Sequence, residues 1–261
     1  MKIYISADIE GVTGIGHWNE ATSESPFANQ MTREVQAACE GANEACAAEI
    51  WIQDAHDSGR NITFADLPNN IRLIRSFSGH PFCMMQELDQ SFTAALMIGY
   101  HAYAGSDENP LAHTLDTDLF SIKINGEYAS EFLINAYTAA LVDVPVPFVS
   151  GDAGLCQHVK AINPHITTVA TTIGVGQSVI SMHPTEICAR IRLGVESCLQ
   201  GDLGKCKIKL PQQFTVELTY VNHTQAYKAA FYPGIQKISE RSLLFETNDY
   251  FEVLRMLSFI A

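Results

Sequence analysis

Residues 94–99 read Ala-Ala-Leu-Met-Ile-Gly, apolar at every position. A strand with one face in water alternates apolar and polar side chains, so a run like this one fits a strand covered on both faces. Such strands occur in parallel sheets layered with helices, and the neighbouring sequence supplies the layers. Residues 2–9 are short and β-rich, and residues 31–48 place Val35, Ala38, Cys39, Ala42 and Cys46 at helical spacing. Residues 50–53 read as a second strand. Residues 121–124 followed by Asn125-Gly126 predict a hairpin, Ser130 predicts the cap of a helix running to about Leu141, and residues 144–150 read as a further core strand.

The second half continues with a strand at 167–172 and a helix at 184–199, opened by a proline at its first turn. A linker at 201–211 leads to a strand at 214–220, a helix near 225–231 and a terminal helix from about Asp249. The expected fold class is α/β, a mainly parallel central sheet flanked by helices, with a smaller C-terminal α+β part. The expected division is residues 1–200 as the α/β catalytic domain and 201–261 as a portion packed on it and involved in oligomerisation.

Composition excludes several function classes. The 261 residues carry 16 Lys and Arg against 29 Asp and Glu, a formal charge of −13. A nucleic-acid binder needs a basic footprint, and an anionic membrane surface repels this balance. No apolar run reaches the ~18 residues needed to span a bilayer, and the first strand meets an acidic residue too early for a signal peptide. Seven cysteines with no C-x-x-C pair fit free thiols in a reducing cytosol. The expected location is cytoplasmic, with neither nucleic acid nor membrane as partner.

Acidic residues and histidines recur at the ends of successive strands. Asp8 and Glu10 close the first, two positions apart, so an extended backbone points both carboxylates to one side. His56 lies just beyond the second strand and His101 just beyond the third. In open α/β sheets ligands bind outside the carboxyl ends of the strands, which allows these side chains to converge. Glu131, opening a helix, and His113, on the loop before it, can complete the cluster. Three carboxylates with two or three imidazoles suit Zn²⁺ or Mn²⁺, and two divalent ions would nearly balance the −3 of Asp8, Glu10 and Glu131. Asp8 is the natural carboxylate to bridge two ions. Asp54, two residues before His56, is a candidate to orient that imidazole from behind, and Asp152 is a weaker candidate of the same kind.

Other motifs read as structural. Gly11-x-x-Gly14-x-Gly16 reverses the spacing of the dinucleotide fingerprint and is read as turn chemistry. His17, His80, His158, His165, His183 and His223 lack acidic strand-end company, and Cys156 reads as a small buried hydrophobe.

Ser6-Ala7-Asp8-Ile9-Glu10-Gly11, Gln53-Asp54-Ala55-His56, Gly99-Tyr100-His101-Ala102, Ala112-His113-Thr114 and Ser130-Glu131 through Asn135-Ala136-Tyr137 stand in this order. Together they resemble the signature blocks of the D-aminopeptidases of the DppA type, peptidase family M55, most strongly over residues 1–155. The resemblance implies a zinc-dependent peptidase with a two-metal centre. It places Asp8, Glu10, His56, His101 and Glu131 on the metal-ligand positions and His113 on the catalytic one. It implies short peptides as substrates, with a preference for an N-terminal D-residue, and a homo-oligomer that is a decamer of two pentameric rings. Two positions depart from the family pattern: Ser130 stands where the family has Gly, and Gln53-Asp54-Ala55-His56 stands for Asn-Asp-Ser-His. Neither removes a ligand. An L-specific aminopeptidase, another two-metal amide or phosphate-ester hydrolase, and a non-catalytic peptide- or metal-binding protein are the alternative expectations.

Overall fold

The computed structural model of the chain describes residues 1–261. Its strands are β1 (Lys2–Ala7), β2 (Glu49–Asp54), β3 (Ile71–Ile74), β4 (Ala94–Tyr100), β5 (Leu119–Ile124), β6 (Glu127–Tyr128), β7 (Phe148–Asp152), β8 (Thr167–Val175), β9 (Ser178–Ser181), β10 (Phe214–Tyr220), β11 (Gln236–Lys237) and β12 (Ser242–Thr247). The helices are α1 (Pro26–Glu44), α2 (Glu131–Leu141), α3 (Ala153–Ile162), α4 (Pro184–Leu199), α5 (His223–Ala229) and α6 (Tyr250–Ile260).

Seven strands form the central sheet in the order β3-β2-β1-β4-β7-β8-β9. Every neighbouring pair is parallel except β8 with β9. Successive residues of one strand serve opposite layers. Ile3 and Ile5 of β1, with Leu96 and Ile98 of β4, pack into a core that includes Val35 and Ala38 of α1 and Ile187 and Ile191 of α4. Tyr4, Ala95 and Met97 face the other way, onto Phe132 and Ala136 of α2 and Leu155 and Val159 of α3. The uninterrupted apolar run in β4 is the trace of that double cover. Where α1 crosses α4, a Cβ on Gly41 would collide with the Arg192 carbonyl, so the glycine sets how closely the two helices approach.

The second sheet is antiparallel, in the order β11-β12-β10-β5-β6. Its core joins Leu119, Ile122, Phe214, Val216 and Leu218 to Tyr250, Val253 and Leu257 of α6. Two of its strands come from residues 119–128, so this smaller layer is not drawn from 201–261 alone. Helix α2 joins the layers, since Phe132 and Ala136 belong to the core under the parallel sheet and Leu133 and Ile134 to that of the antiparallel one.

Several boundaries differ from the sequence reading. Helix α1 starts at Pro26, capped by the Ser25 side chain, and stops at Glu44, where the reading placed it at 31–48. The expected strand 144–150 begins only at Phe148, because Pro145 and Pro147 have no amide to donate to a ladder. Helix α3 was not assigned, and its opening signal is the Asp152 carboxylate accepting from the Leu155 amide. The expected linker 201–211 contains a 3-10 turn at Leu203–Cys206, with Asn163 donating to the carbonyl of Lys205.

Candidate metal centre

In the central sheet β1 has β2 on one side and β4 on the other. The chain winds outward in opposite directions from that pair, which opens a crevice at the strands' carboxyl ends. Asp8 is the first residue after β1, His101 the first after β4, and His56 follows β2 by two. Residues 8–11 turn instead of running on as a strand: the Asp8 amide donates to the Ile98 carbonyl, that of Gly11 to the Gly99 carbonyl and that of Val12 to the Ile9 carbonyl. The expected extended Asp8-x-Glu10 is therefore a turn, although both carboxylates still reach one imidazole. Gly11 permits the turn, because any Cβ there would run into the Tyr100 carbonyl. Glu131 arrives from the other layer at the first position of α2, where Ser130 caps the helix by accepting from the Leu133 amide at 3.3 Å.

The six residues form two groups of three. In one, His56 Nδ1 lies 3.4 Å from Asp8 Oδ1 and 3.0 Å from Glu10 Oε1. In the other, His101 Nε2 lies 3.4 Å from Glu131 Oε2 and His113 Nε2 lies 3.6 Å from Glu131 Oε1. Asp8 spans both, since its Oδ2 is 3.5 Å from His101 Nε2. The His101 and His113 rings stack at 4.3 Å between centroids, 9° apart in plane.

Each imidazole is anchored at its outer nitrogen by a backbone carbonyl: His56 Nε2 by Ala21 at 3.0 Å, His101 Nδ1 by Ala102 at 2.9 Å, and His113 Nδ1 by Leu111 at 3.0 Å. A carbonyl only accepts, so the outer nitrogen carries the proton and the inner lone pair turns toward carboxylate oxygens. Acceptors then face acceptors across a buried space. Asp8 Oδ2, Glu10 Oε2 and His101 Nε2 are buried without a hydrogen-bond partner. Protonation relieves this conflict. Burial alone would lower both imidazoles, but Asp8 and Glu10 hold His56 up at about 11, and Glu131 with Asp8 holds His101 up at about 10. The same pairing overcomes desolvation to bring Glu131 down to about 2 and to lower Glu10, while burial and the Glu10 charge raise Asp8. His113 is shifted downward by burial and by its His101 neighbour. Three carboxylates, carbonyl-anchored imidazoles and unpartnered inner atoms are a donor set suited to a divalent cation such as Zn²⁺.

The surrounding residues hold this arrangement in place. Asp54 does not touch the His56 ring. Its carboxylate accepts from the amides of Asn61 and Ile62 and from Asn61 Nδ2, and Asn61 Nδ2 in turn donates to the His56 carbonyl. Asp54 therefore shapes the loop that carries His56, and the ring itself is oriented by Ala21. Asp152 accepts from the Ala102 amide at 2.7 Å and from Asn109 Nδ2, which also donates to the Glu10 carbonyl. Four contributors went unseen in the sequence. They are the Ala21 carbonyl, Asn109, the Leu115 amide donating to Glu131 Oε1 at 2.8 Å, and Trp18, whose ring meets His113 edge-on at 5.2 Å. Only the pattern around Trp18 was locally readable, because His17 and Glu20 form a capping box around its 3-10 turn. Cys156 is inert, its thiol pushed up to about 12 by burial and by Asp152.

Known proteins resemble this chain in both sequence and fold. A family model described as Peptidase_M55, D-aminopeptidase, matches residues 1–259. A D-aminopeptidase of Bacillus subtilis (strain 168) is 27% identical over 266 residues, covering 98% of this chain and 95% of that protein. A solved structure described as the Zn-dependent D-aminopeptidase DppA from Bacillus subtilis, a self-compartmentalizing protease, superposes with a TM-score of 0.91 at 25% identity, covering 100% of this chain and 96% of that one. The match of fold and sequence runs along essentially the whole chain, and the chain belongs to the M55 family of D-aminopeptidases.

Proposed function

We propose that this member of a metal-dependent peptidase family is a two-zinc aminopeptidase that cleaves short peptides, with preference for an N-terminal D-residue. The supporting observation is the position of Asp8, whose two oxygens face different triads. Asp8, Glu10 and His56 would hold one ion and Asp8, His101 and Glu131 the other, with Mn²⁺ an alternative to Zn²⁺ on donor type. When bound, such a pair polarises a water and steadies the oxyanion of acyl transfer.

The chain's own contribution is positioning and proton movement. Leu111 keeps the His113 proton on Nδ1, which leaves Nε2 to accept a proton and pass it to the departing amine. Burial, with the neighbouring His101, shifts His113 downward, which favours its neutral form. Trp18 and the stacked His101 ring limit how far the imidazole can tilt. The near-complete burial of Asp8, Glu10 and His101 excludes bulk water, which strengthens every charge interaction in the site.

The test is hydrolysis of D-Ala-D-Ala and L-Ala-L-Ala by zinc-loaded protein with a chelated control. Chelator-sensitive turnover of the D peptide is expected. Turnover of the L peptide alone would overturn the stereochemical preference and keep the reaction class. Inactivity toward both would refute the peptidase reading.

A further inference from the structure

A cavity of about 260 Å³ is walled mainly by Phe77, Pro81, Phe82, Leu115, Ile134 and Leu254, with the polar His80, Asn135 and Ser258 and the terminal Ala261 also in its lining. It adjoins the metal centre by three routes. Leu115, in its wall, donates its amide to Glu131 Oε1. Ile134 and Asn135, also lining, follow Glu131 on α2 by three and four residues, so they lie on the same face about 5.4 Å along the helix. Asn135 Nδ2 donates to Met84 Sδ at 3.2 Å, which ties the 3-10 turn Cys83–Met85, whose Cys83 also lines the cavity, to the helix that opens with Glu131. Two of the lining residues are also held in left-handed backbone, Cys83 at φ 46° and Leu115 at φ 65°. Strain of this kind persists only where the surroundings impose it, and it gathers at ligand sites.

A peptide bond reacting at Glu131 and His113 has its flanking Cα atoms ~3.8 Å apart. A side chain on either Cα would then be within reach of the cavity that Leu115, Ile134 and Asn135 line beside Glu131. The volume exceeds the ~150 Å³ that accepts a benzene ring. We propose that this cavity is the specificity pocket for an apolar side chain of aromatic size flanking the scissile bond of the substrate. The proposal rests on the peptidase reading above, and it adds the substrate class.

Calorimetric titration of zinc-loaded protein with phenylalanine and with alanine, both enantiomers of each, reads the pocket without turnover. Phenylalanine is expected to bind at least about 10-fold more tightly than alanine. In the hydrolysis assay either Phe-Ala or Ala-Phe is expected to exceed Ala-Ala in kcat/KM by a similar factor, and the one that gains tells which side of the bond the cavity serves. Ser258→Trp, at an exposed position of α6 that lines the cavity, is expected to erase the advantage of phenylalanine. Equal binding of the two amino acids overturns the proposal, as does an advantage that Ser258→Trp leaves intact. A phenylalanine preference in a protein that cleaves no dipeptide supports the pocket and refutes the peptidase reading, so the two failures remain distinct.

Discussion

At the scale of single residues, the centre depends on groups that cannot satisfy one another. Asp8 touches both triads, so Asp8→Asn is expected to abolish metal binding at both positions. Elemental analysis of the dialysed variant checks this, and two retained ions would refute the bridging role. His113 sits with His101 and Glu131, its Nδ1 held by the Leu111 carbonyl, and is proposed to move a proton instead of holding metal. His113→Ala is expected to lower kcat by about 10²–10⁴-fold with metal content unchanged. If metal is lost instead, the residue is a ligand. Away from the centre, Glu34 is fully buried in α1, accepting from the Thr13 amide and Gln30 Nε2 while its second oxygen has no partner. Burial raises its pKa against those hydrogen bonds. A folded-state carboxyl raised above its unfolded value destabilises the protein at neutral pH, and that penalty fades as pH falls through the folded pKa. Glu34→Gln is therefore expected to flatten the pH dependence of Tm just above the ordinary carboxylate range, as read by thermal melts of both proteins across pH 7 to about 5.

At the scale of elements, helix starts place ligands. Ser130 caps α2 one residue before Glu131, at the position where the resemblance expects glycine. Ser130→Ala removes the cap and is expected to destabilise the protein by about 0.5–2 kcal/mol, whereas Ser130→Gly costs only a few tenths. Chemical denaturation separates the two, and equal losses would show that packing of the buried hydroxyl matters more than capping. Elements with strong local signals were legible in the sequence: α4 with its opening proline, β10 with its alternation, and α2 with its serine cap. The start of β7 was not, because the β-rich composition of 144–147 outweighed the two prolines that bar a ladder. Helix α3 was missed because its cap is the last residue of a strand, so Asp152 serves two elements at once.

At the scale of the molecule, exposed apolar side chains are scattered over the surface, and two groups of them stand out. One is the β8–β9 hairpin with Ile173, Val175 and Ile180, and the other comprises Tyr227 and Phe231 at α5 with Phe259 on α6. Apolar surface of this kind marks association sites. The proposed assembly is a decamer of two pentameric rings, with the second sheet and its helices among the contacting parts. Light scattering is then expected to give a mass near ten times 28.7 kDa, and a monomeric mass would refute it.

The sequence alone determined the layered parallel sheet, since only double cover explains an apolar residue at every position of β4. It also determined which residues stand at the strand ends, because Asp8, His56 and His101 each follow their strand within two residues. Tertiary structure decided how these positions became a centre. It brought Glu131 and His113 from the segment joined to the antiparallel sheet, turned residues 8–11 against the Tyr100 carbonyl, and assigned the outer nitrogens to the carbonyls of Ala21, Ala102 and Leu111. It also gave Asp54 to the His56 loop instead of the ring. Strand ends follow from local periodicity. A backbone carbonyl 35 residues away from its histidine, as Ala21 is from His56, leaves no mark in composition or spacing, because any residue type could have supplied it.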